Sequence, residues 1–360
     1  MAVTAPAGPP AAATGCDTRH IEFRYADGAR RTLDVDAGRP ILDAALAADI
    51  PLLHQCRSGS CSSCVARLVQ GETRQHAGGR SALLRSEHEA GLRLLCQAEA
   101  AADCVFDLDY DSAAGAGRPR KASAFVDRVE RVASNVVRLR LELAADHWVD
   151  FQPGQFFQLR IPGTDIVRSY SPASTSAALP ALEFLIRLLP GGAMSQWLVE
   201  SAQIDDVVEI EGAFGAFFLR DKVRAPHIFV AGGTGLAPIL SMLDALRAQP
   251  GRKPPALLSF GCTDPAALFG LDEIALRRTW MPNLQARISV DRDAEGDLLL
   301  GTPVAALSQA DVGHPDTIAY LCGPPPMVEA ARARLEAFGV RPANILAEQF
   351  VASTASGEAA

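Results

Sequence analysis

The period of the apolar positions changes three times along the chain. In "HIEFRYADGARRTLDV" Ile21, Phe23 and Tyr25 alternate with polar residues, as do Leu33 and Val35. This pattern predicts two strands joined by an Asp27-Gly28 turn. "PILDAALAADI" switches to helical spacing, with Pro40 at the start and Leu42, Ala45 and Leu46 on one face. "CVARLVQGE" returns to alternation with a turn at Gly71, and a last strand pattern begins at Cys96 and ends near Tyr110. From residue 124 alternation dominates. "AFVDRVERVA", "VVRLRLEL", "QFFQLRI", "LEFLIRLL" and "DVVEIEGAFG" are separated by Pro- and Gly-containing stretches at intervals suited to a small antiparallel barrel. Beyond residue 223 the strands become continuously apolar and alternate with helices. "HIFVAGGTGLAPILSMLDALRA" reads as strand, glycine turn and amphipathic helix, the opening of an α/β nucleotide-binding layer.

These periods divide the 360 residues into more than one core, as expected for a chain longer than a single core sustains. "MAVTAPAGPPAAATG" has too few large apolar groups to offset the entropy of ordering, so residues 1–15 read as a disordered tail. The first domain runs over 16–110, a linker over 111–123, the strand-rich unit over 124–222 and the α/β unit over 223–352. A flexible tail follows over 353–360. The formal charge of -8 argues against a nucleic-acid or anionic-membrane surface. No leader pattern opens the chain and no apolar run is long enough to span a membrane, so a soluble cytoplasmic protein is expected.

Eight cysteines in so long a chain are not a disulfide scaffold. Cys56, Cys61 and Cys64 lie in "CRSGSCSSC", and Cys96 follows at a distance. Three thiols from one small-residue loop plus a fourth is the spacing that wraps a [2Fe-2S] cluster in plant-type ferredoxins, because small neighbours let N–H groups face the sulfurs. A structural zinc site is the alternative, but it usually presents two short knuckles, and only Cys61 and Cys64 have that pitch. Cys16, Cys104, Cys262 and Cys322 share no ligand-like spacing and read as free thiols.

Two further constellations suggest cofactors. In "RSYSPAS", Arg168 can pair with a phosphate, Tyr170 can lie against a ring system, and Ser171 can donate to a ring heteroatom. "PGGAMSQWL" then places Gly191, Gly192, Ala193, Met194 and Ser195 at a turn and helix start that can present N–H groups to a pyrophosphate. Ordinary edge and turn chemistry explains either segment taken alone. In the third unit Gly232, Gly233 and Gly235 clear space for a dinucleotide phosphate while Thr234 adds a hydroxyl. This is not the common Gly-x-Gly-x-x-Gly pattern, and a tight structural turn is the competing explanation. Cys322 and Gly323 in "IAYLCGPPPMVEA" fall at a strand's carboxyl edge, where open parallel sheets bind ligands.

Taken together, "CRSGSCSSC" with Cys96, "RSYS", "GGAMSQWL", "EGAFGAFFLRD", "AGGTGLAP", "YLCGPPPMVEA" and "ILAEQF" resemble the three-domain oxygenase reductases over nearly the whole chain, most of all those of the benzoate dioxygenase type. The resemblance implies a β-grasp plant-type ferredoxin domain, an antiparallel β-barrel FAD domain and an α/β parallel-sheet NAD domain, in that order. It implies that Cys56, Cys61, Cys64 and Cys96 hold the [2Fe-2S] cluster, and that Arg168, Ser169, Tyr170 and Ser171 contact FAD. Gly192, Ala193, Met194 and Ser195 would hold its pyrophosphate. Gly232, Gly233, Thr234, Gly235, Pro238, Cys322 and Gly323 would receive the nicotinamide nucleotide. Ser171, Cys322, Glu348 and Phe350 would orient and tune the reacting rings, although Glu348 and Phe350 read equally well as a final strand packed at a domain interface. Two departures stand out: Ser62 where the family often has Gly, and the tripled proline at 324–326.

Hydride carries two electrons and an iron-sulfur centre takes one, so a flavin between them is the required converter. "GCTDPAAL" offers Thr263 and Asp264 and no arginine for a 2′-phosphate, which favours NADH, while Arg292 in "SVDRD" keeps NADPH open. By resemblance the reduced cluster serves a terminal oxygenase, a Rieske non-haem iron dioxygenase first and a diiron monooxygenase of the phenol or methane type second, with the reductase monomeric before docking. Arg57, Ser58, Ser60, Ser62 and Ser63 would form a polar rim for docking. A nonenzymatic redox carrier or sensor, and a flavin reductase with a zinc-bound first domain, are the alternatives of other classes.

Overall fold

The computed structural model describes residues 18–59, 63–75, 81–83, 85–116, 119–220 and 225–350. The expected tails, Cys16, Ser60, Cys61 and Ser62 lie outside the described residues.

The first unit holds β1 (Thr18–Arg24), β2 (Arg30–Asp36), α1 (Ile41–Ala47), β3 (Val65–Gln70), β4 (Thr73–Gln75), α2 (Arg85–Glu89), β5 (Leu92–Leu94), β6 (Ala98–Ala100), β7 (Cys104–Asp107) and α3 (Ser112–Ala116). The β1–β2 turn forms where Asp27-Gly28 predicts it, with Gly28 at φ 82° and the Asp27 carboxylate accepting from the Ala29 N–H at 3.0 Å. A five-stranded mixed sheet in the order β2-β1-β7-β3-β5 results, and α1 buries Ile41, Leu42 and Ala45 against it. The single strand expected from Cys96 to Tyr110 is two strands. β6 pairs with β4 and β7 joins the main sheet, because Ala101 and Ala102 turn their N–H groups onto the Glu72 carbonyl and end the first ladder.

The second unit contains β8 (Arg120–Ala133), β9 (Val136–Leu143), β10 (Phe156–Arg160), β11 (Val167–Tyr170), β12 (Ala181–Arg187), α4 (Ala193–Gln196) and β13 (Val207–Phe214). All pairs in its order β11-β10-β13-β8-β9-β12 are antiparallel. The two edge strands approach through one bridge, Pro172 to Phe184, around a core that includes Leu139, Leu141, Phe157, Leu159 and Phe184. Alternation along β9 explains this packing, since every second side chain points inward.

The third unit is a parallel sheet. Its elements are β14 (His227–Gly232), α5 (Leu236–Ala248), β15 (Ala256–Cys262), α6 (Leu271–Trp280), β16 (Leu284–Val290), β17 (Leu299–Leu300), β18 (Ile318–Gly323), α7 (Pro325–Ala337) and β19 (Ile345–Gln349). The order β17-β16-β15-β14-β18-β19 makes β14 central, with β15 on one side and β18 on the other. The chain reverses its direction of travel there, so a crevice opens at the carboxyl ends of β14 and β18. Both strands are buried almost throughout because both faces are covered, with His227 the polar residue among them.

The second and third units share one core. Val136, Ala173, Leu185 and Phe217 pack with Phe229, Leu236, Phe260 and Tyr320, and the Ser241 hydroxyl donates to the Ser174 carbonyl at 2.9 Å.

Candidate active site

Pairing of β3 with β5 sets the thiol geometry. Val65 lies opposite Leu94, and the Leu95 N–H donates to the Cys64 carbonyl at 3.0 Å, which brings Cys64 and Cys96 side by side although they are far apart in sequence. Both are buried, and Cys56 is partly so. The Cys64 thiol holds the Cys96 ionisation below the ordinary thiol range by hydrogen bonding, against the opposing effects of burial and of Cys56. Arg57 and Gly59 adopt left-handed φ values of 54° and 83°, curling the loop so that the Ser58 N–H points at the Cys56 sulfur, 3.4 Å away. The Gln97 amide lies 3.9 Å from the Cys96 sulfur. Ser63, expected on the docking rim, is instead buried, its hydroxyl without a partner among the described residues and suited to donate to a sulfur beside Cys64. Sulfur ligands ringed by N–H and O–H donors fit a [2Fe-2S] cluster. Cys61, the remaining expected ligand, lies outside the described residues.

The second site forms where the antiparallel unit meets the carboxyl edge of the parallel sheet. β11 carries Arg168 and Tyr170 partly buried, Ser169 exposed and Ser171 buried just beyond its end. Burial raises the Tyr170 phenol well above its ordinary value, so the ring presents a neutral hydroxyl and an apolar face. Gly192, Ala193, Met194 and Ser195 open α4, with Met194 buried in the core. The Ser195 hydroxyl accepts from the Leu189 N–H at 2.8 Å and so holds the turn that the sequence assigns to a pyrophosphate.

At the sheet's edge Cys322 and Glu348 are register partners on β18 and β19. The Ser171 hydroxyl donates to the Glu348 carboxyl at 3.3 Å. Glu348 keeps some exposed surface, but the surrounding protein pushes its carboxyl up to about 8, opposed by the Ser171 hydrogen bond. Cys322 is fully buried, and burial followed by the nearby Glu348 charge raises its thiol. Phe350 follows on the same edge, its N–H donating to the Gly323 carbonyl at 2.9 Å. Ser171, Cys322, Glu348 and Phe350, expected together from the sequence, therefore gather at one edge.

Two of the glycines at the end of β14 let neighbouring elements pack tightly behind the turn, and the third faces open space. A Cβ on Gly235 would stand 2.1 Å from the Cys322 carbonyl oxygen, and one on Gly232 would stand 2.6 Å from the Met327 sulfur. Gly233 takes φ 54° with open space in front. Thr234 is partly exposed, whereas Pro238 is buried in the first turn of α5. Cys262, expected only as a free thiol, sits beside this turn: burial pushes it up to about 12 while the Gly233 N–H opposes the rise. Asp264, just beyond β15, accepts from Arg292 at 2.9 Å and caps a short helical turn through the Ala267 N–H at 3.1 Å. Arg292, foremost, holds the Asp264 carboxyl below its usual range.

Three family models match in series: a 2Fe-2S iron-sulfur cluster binding domain over residues 25–101, an oxidoreductase FAD-binding domain over 123–219 and an oxidoreductase NAD-binding domain over 229–333. The chain is 33% identical over 339 residues to the toluate 1,2-dioxygenase electron transfer component of Pseudomonas putida, covering 93% of this chain and 99% of that protein. The chain belongs to the three-domain ferredoxin/FAD/NAD reductases. The propane 2-monooxygenase reductase component of Mycolicibacterium goodii is 35% identical over 343 residues, with 93% and 97% of the two chains covered. Among solved structures, an Amycolatopsis cytochrome P450 reductase superposes with a TM-score of 0.67 at 29% identity, covering 92% of this chain and 98% of its own. The protein is thus a flavin and iron-sulfur oxidoreductase of NAD(H), with ferredoxin, FAD-binding and NAD-binding domains in the expected order. Among the described residues no helix is long and apolar enough to cross a membrane.

Proposed function

We propose that this chain is the NADH-dependent reductase component of a multicomponent oxygenase, taking hydride at the Ser171–Glu348 edge and passing single electrons out through the cluster of the first domain. The observation that carries this reading is the 3.3 Å contact of Ser171 with Glu348, which joins the residues expected at FAD to the carboxyl edge of the nucleotide-binding sheet. When bound, the flavin supplies the conversion from two-electron to one-electron transfer and the cluster the one-electron outlet. The protein's part is placement. Arg168 and the α4 turn hold phosphates, Tyr170 offers its ring face, Gly233 leaves room for the nucleotide backbone, and Gly232 and Gly235 let α7 and β18 pack closely behind it. Glu348, protonated at neutral pH, keeps the ring pocket uncharged and holds a proton beside Ser171.

NADH is favoured over NADPH because Asp264 stands after β15 and already engages Arg292, which leaves a carboxylate for a ribose 2′-hydroxyl and a neutralised arginine for a 2′-phosphate. For the oxygenase partner, a monooxygenase is the better-supported reading and a Rieske dioxygenase the second. The propane 2-monooxygenase reductases reach 35% identity, and the toluate and 2-halobenzoate dioxygenase components 33%.

Anaerobic NADH addition with iron and flavin assays tests the route: loss of flavin absorbance followed by a rhombic [2Fe-2S] paramagnetic signal is expected. Reconstitution with purified monooxygenase or dioxygenase components decides the partner, because productive coupling with only the dioxygenase would reverse the preference for a monooxygenase.

A further inference from the structure

The first domain is attached differently from the other two. Units two and three share a continuous apolar core. Among the described residues, the contacts that hold the ferredoxin domain include an aromatic plug, Phe218 with Ala216 beside it, and two ion pairs. Phe218, just past β13, is buried in the same apolar core as Leu53, Cys64, Leu95 and Cys96. The Arg220 guanidinium lies 3.9 Å from the Phe218 ring centroid and donates to Asp109 at 2.9 and 3.1 Å. Its own N–H donates at 2.9 Å to the hydroxyl of Tyr320 in β18. Farther along, Arg332 of α7 meets Glu87 of α2 at 2.6 Å, with the two side chains 4% and 12% exposed.

The plug sits close to the hydride-transfer edge in sequence and in space. A Cβ on Gly215 would lie 4.0 Å from a Glu348 carboxyl oxygen, and Phe218 is three residues on, so the chain between them spans at most about 11 Å. One short segment thus links the Glu348 edge to the ferredoxin core, and its exit is pinned by Arg220.

We propose that Arg220 and Arg332 are positioning residues that clamp the ferredoxin domain onto the flavin–nicotinamide body in the orientation that flavin-to-cluster electron transfer requires. The inference rests on the proposed electron route, and its structural arm is independent of that route. Domains of one chain move relative to one another unless their interface is large and apolar, and a buried arginine stripped of its carboxylate strongly disfavours the docked state.

The test uses the full-length holoprotein. Arg332→Glu is expected to leave the first phase, NADH-driven loss of flavin absorbance, unchanged and to slow the following cluster reduction by about tenfold. Small-angle X-ray scattering should show a larger radius of gyration. Adding Glu87→Arg should restore both readouts. Glu87→Gln with Asp109→Asn provides a milder pair that leaves the NAD domain untouched and should act in the same direction. Unchanged scattering with unchanged cluster reduction in both variants would overturn the clamp. So would a loss of flavin reduction that the charge-reversed pair fails to restore, since that marks a folding role. If scattering expands while NADH never reduces flavin even in the parent protein, the clamp stands and the electron route fails.

Discussion

The Ser171 hydroxyl reaches the Glu348 carboxyl at 3.3 Å across 177 residues of sequence. Ser171 leaves an edge strand of the antiparallel sheet and Glu348 sits in an edge strand of the parallel one, so the contact exists only when the two units dock. The docking is apolar at its centre, through Ala173, Leu185 and Phe217, with polar contacts including Ser241–Ser174 and Arg138–Glu273 beside the Ser171–Glu348 pair.

Glu348 should titrate near neutrality. Its carboxyl is raised to about 8, so it favours the folded state fully below the unfolded carboxyl range and loses that contribution as pH rises through about 8. Glu348→Gln, which cannot ionise, should flatten the dependence of hydride-transfer rate and of unfolding midpoint between pH 5 and 9, about the window those values span. A profile identical to the parent's would remove Glu348 from the ring pocket.

Asp264 and Arg292 should set the choice of nucleotide. Asp264→Asn keeps the cap on Ala267 but removes the charge that occupies Arg292. kcat/KM for NADPH is expected to rise by about tenfold as the guanidinium becomes available to a 2′-phosphate, while the value for NADH falls. Steady-state rates with both nucleotides check this, and parallel changes for the two would sink it.

His227 should make the fold acid-sensitive. It is fully buried beside Phe229 and Tyr320, with near-parallel ring angles of 11° and 6°. Burial drives its pKa down to about 4, against a weaker backbone hydrogen bond at Ala225. The unfolded chain therefore takes up a proton first as pH falls from about 6.5, and stability drops progressively toward pH 4, by on the order of 3 kcal/mol. His227→Phe keeps the stack and should lessen the fall in urea midpoint between pH 7 and 5, a range chosen about these pKa values; an equal fall in both proteins would assign the acid sensitivity elsewhere.

Gly235 should tolerate no side chain. Its Cβ would stand 2.1 Å from a backbone oxygen of Cys322, and backbone cannot swing aside as a flexible side chain can. Gly235→Ala is expected to cost about 1–3 kcal/mol and to raise the KM for NADH. Thermal melts and nucleotide titrations measure the two effects separately.

Local chemistry made much of this protein legible from its sequence. Alternation in β9, the Asp27-Gly28 turn, the loop of small residues around the thiols and the glycines after β14 each act over a few residues, so type and spacing suffice to predict the element and its chemistry. The family resemblance extended that reading to the domain order. The split between β6 and β7 was hidden, because it depends on Glu72 receiving two N–H groups from a strand far from it in sequence. The pairing of Glu87 with Arg332, of Asp109 with Arg220 and of Asp264 with Arg292 was hidden for the same reason. Arginines and carboxylates are common on any surface, and only the docking of whole units decides which of them meet and how little water remains between them. The sequence determined which cofactors this chain is built to hold; the tertiary structure decided how the three domains are held together around them.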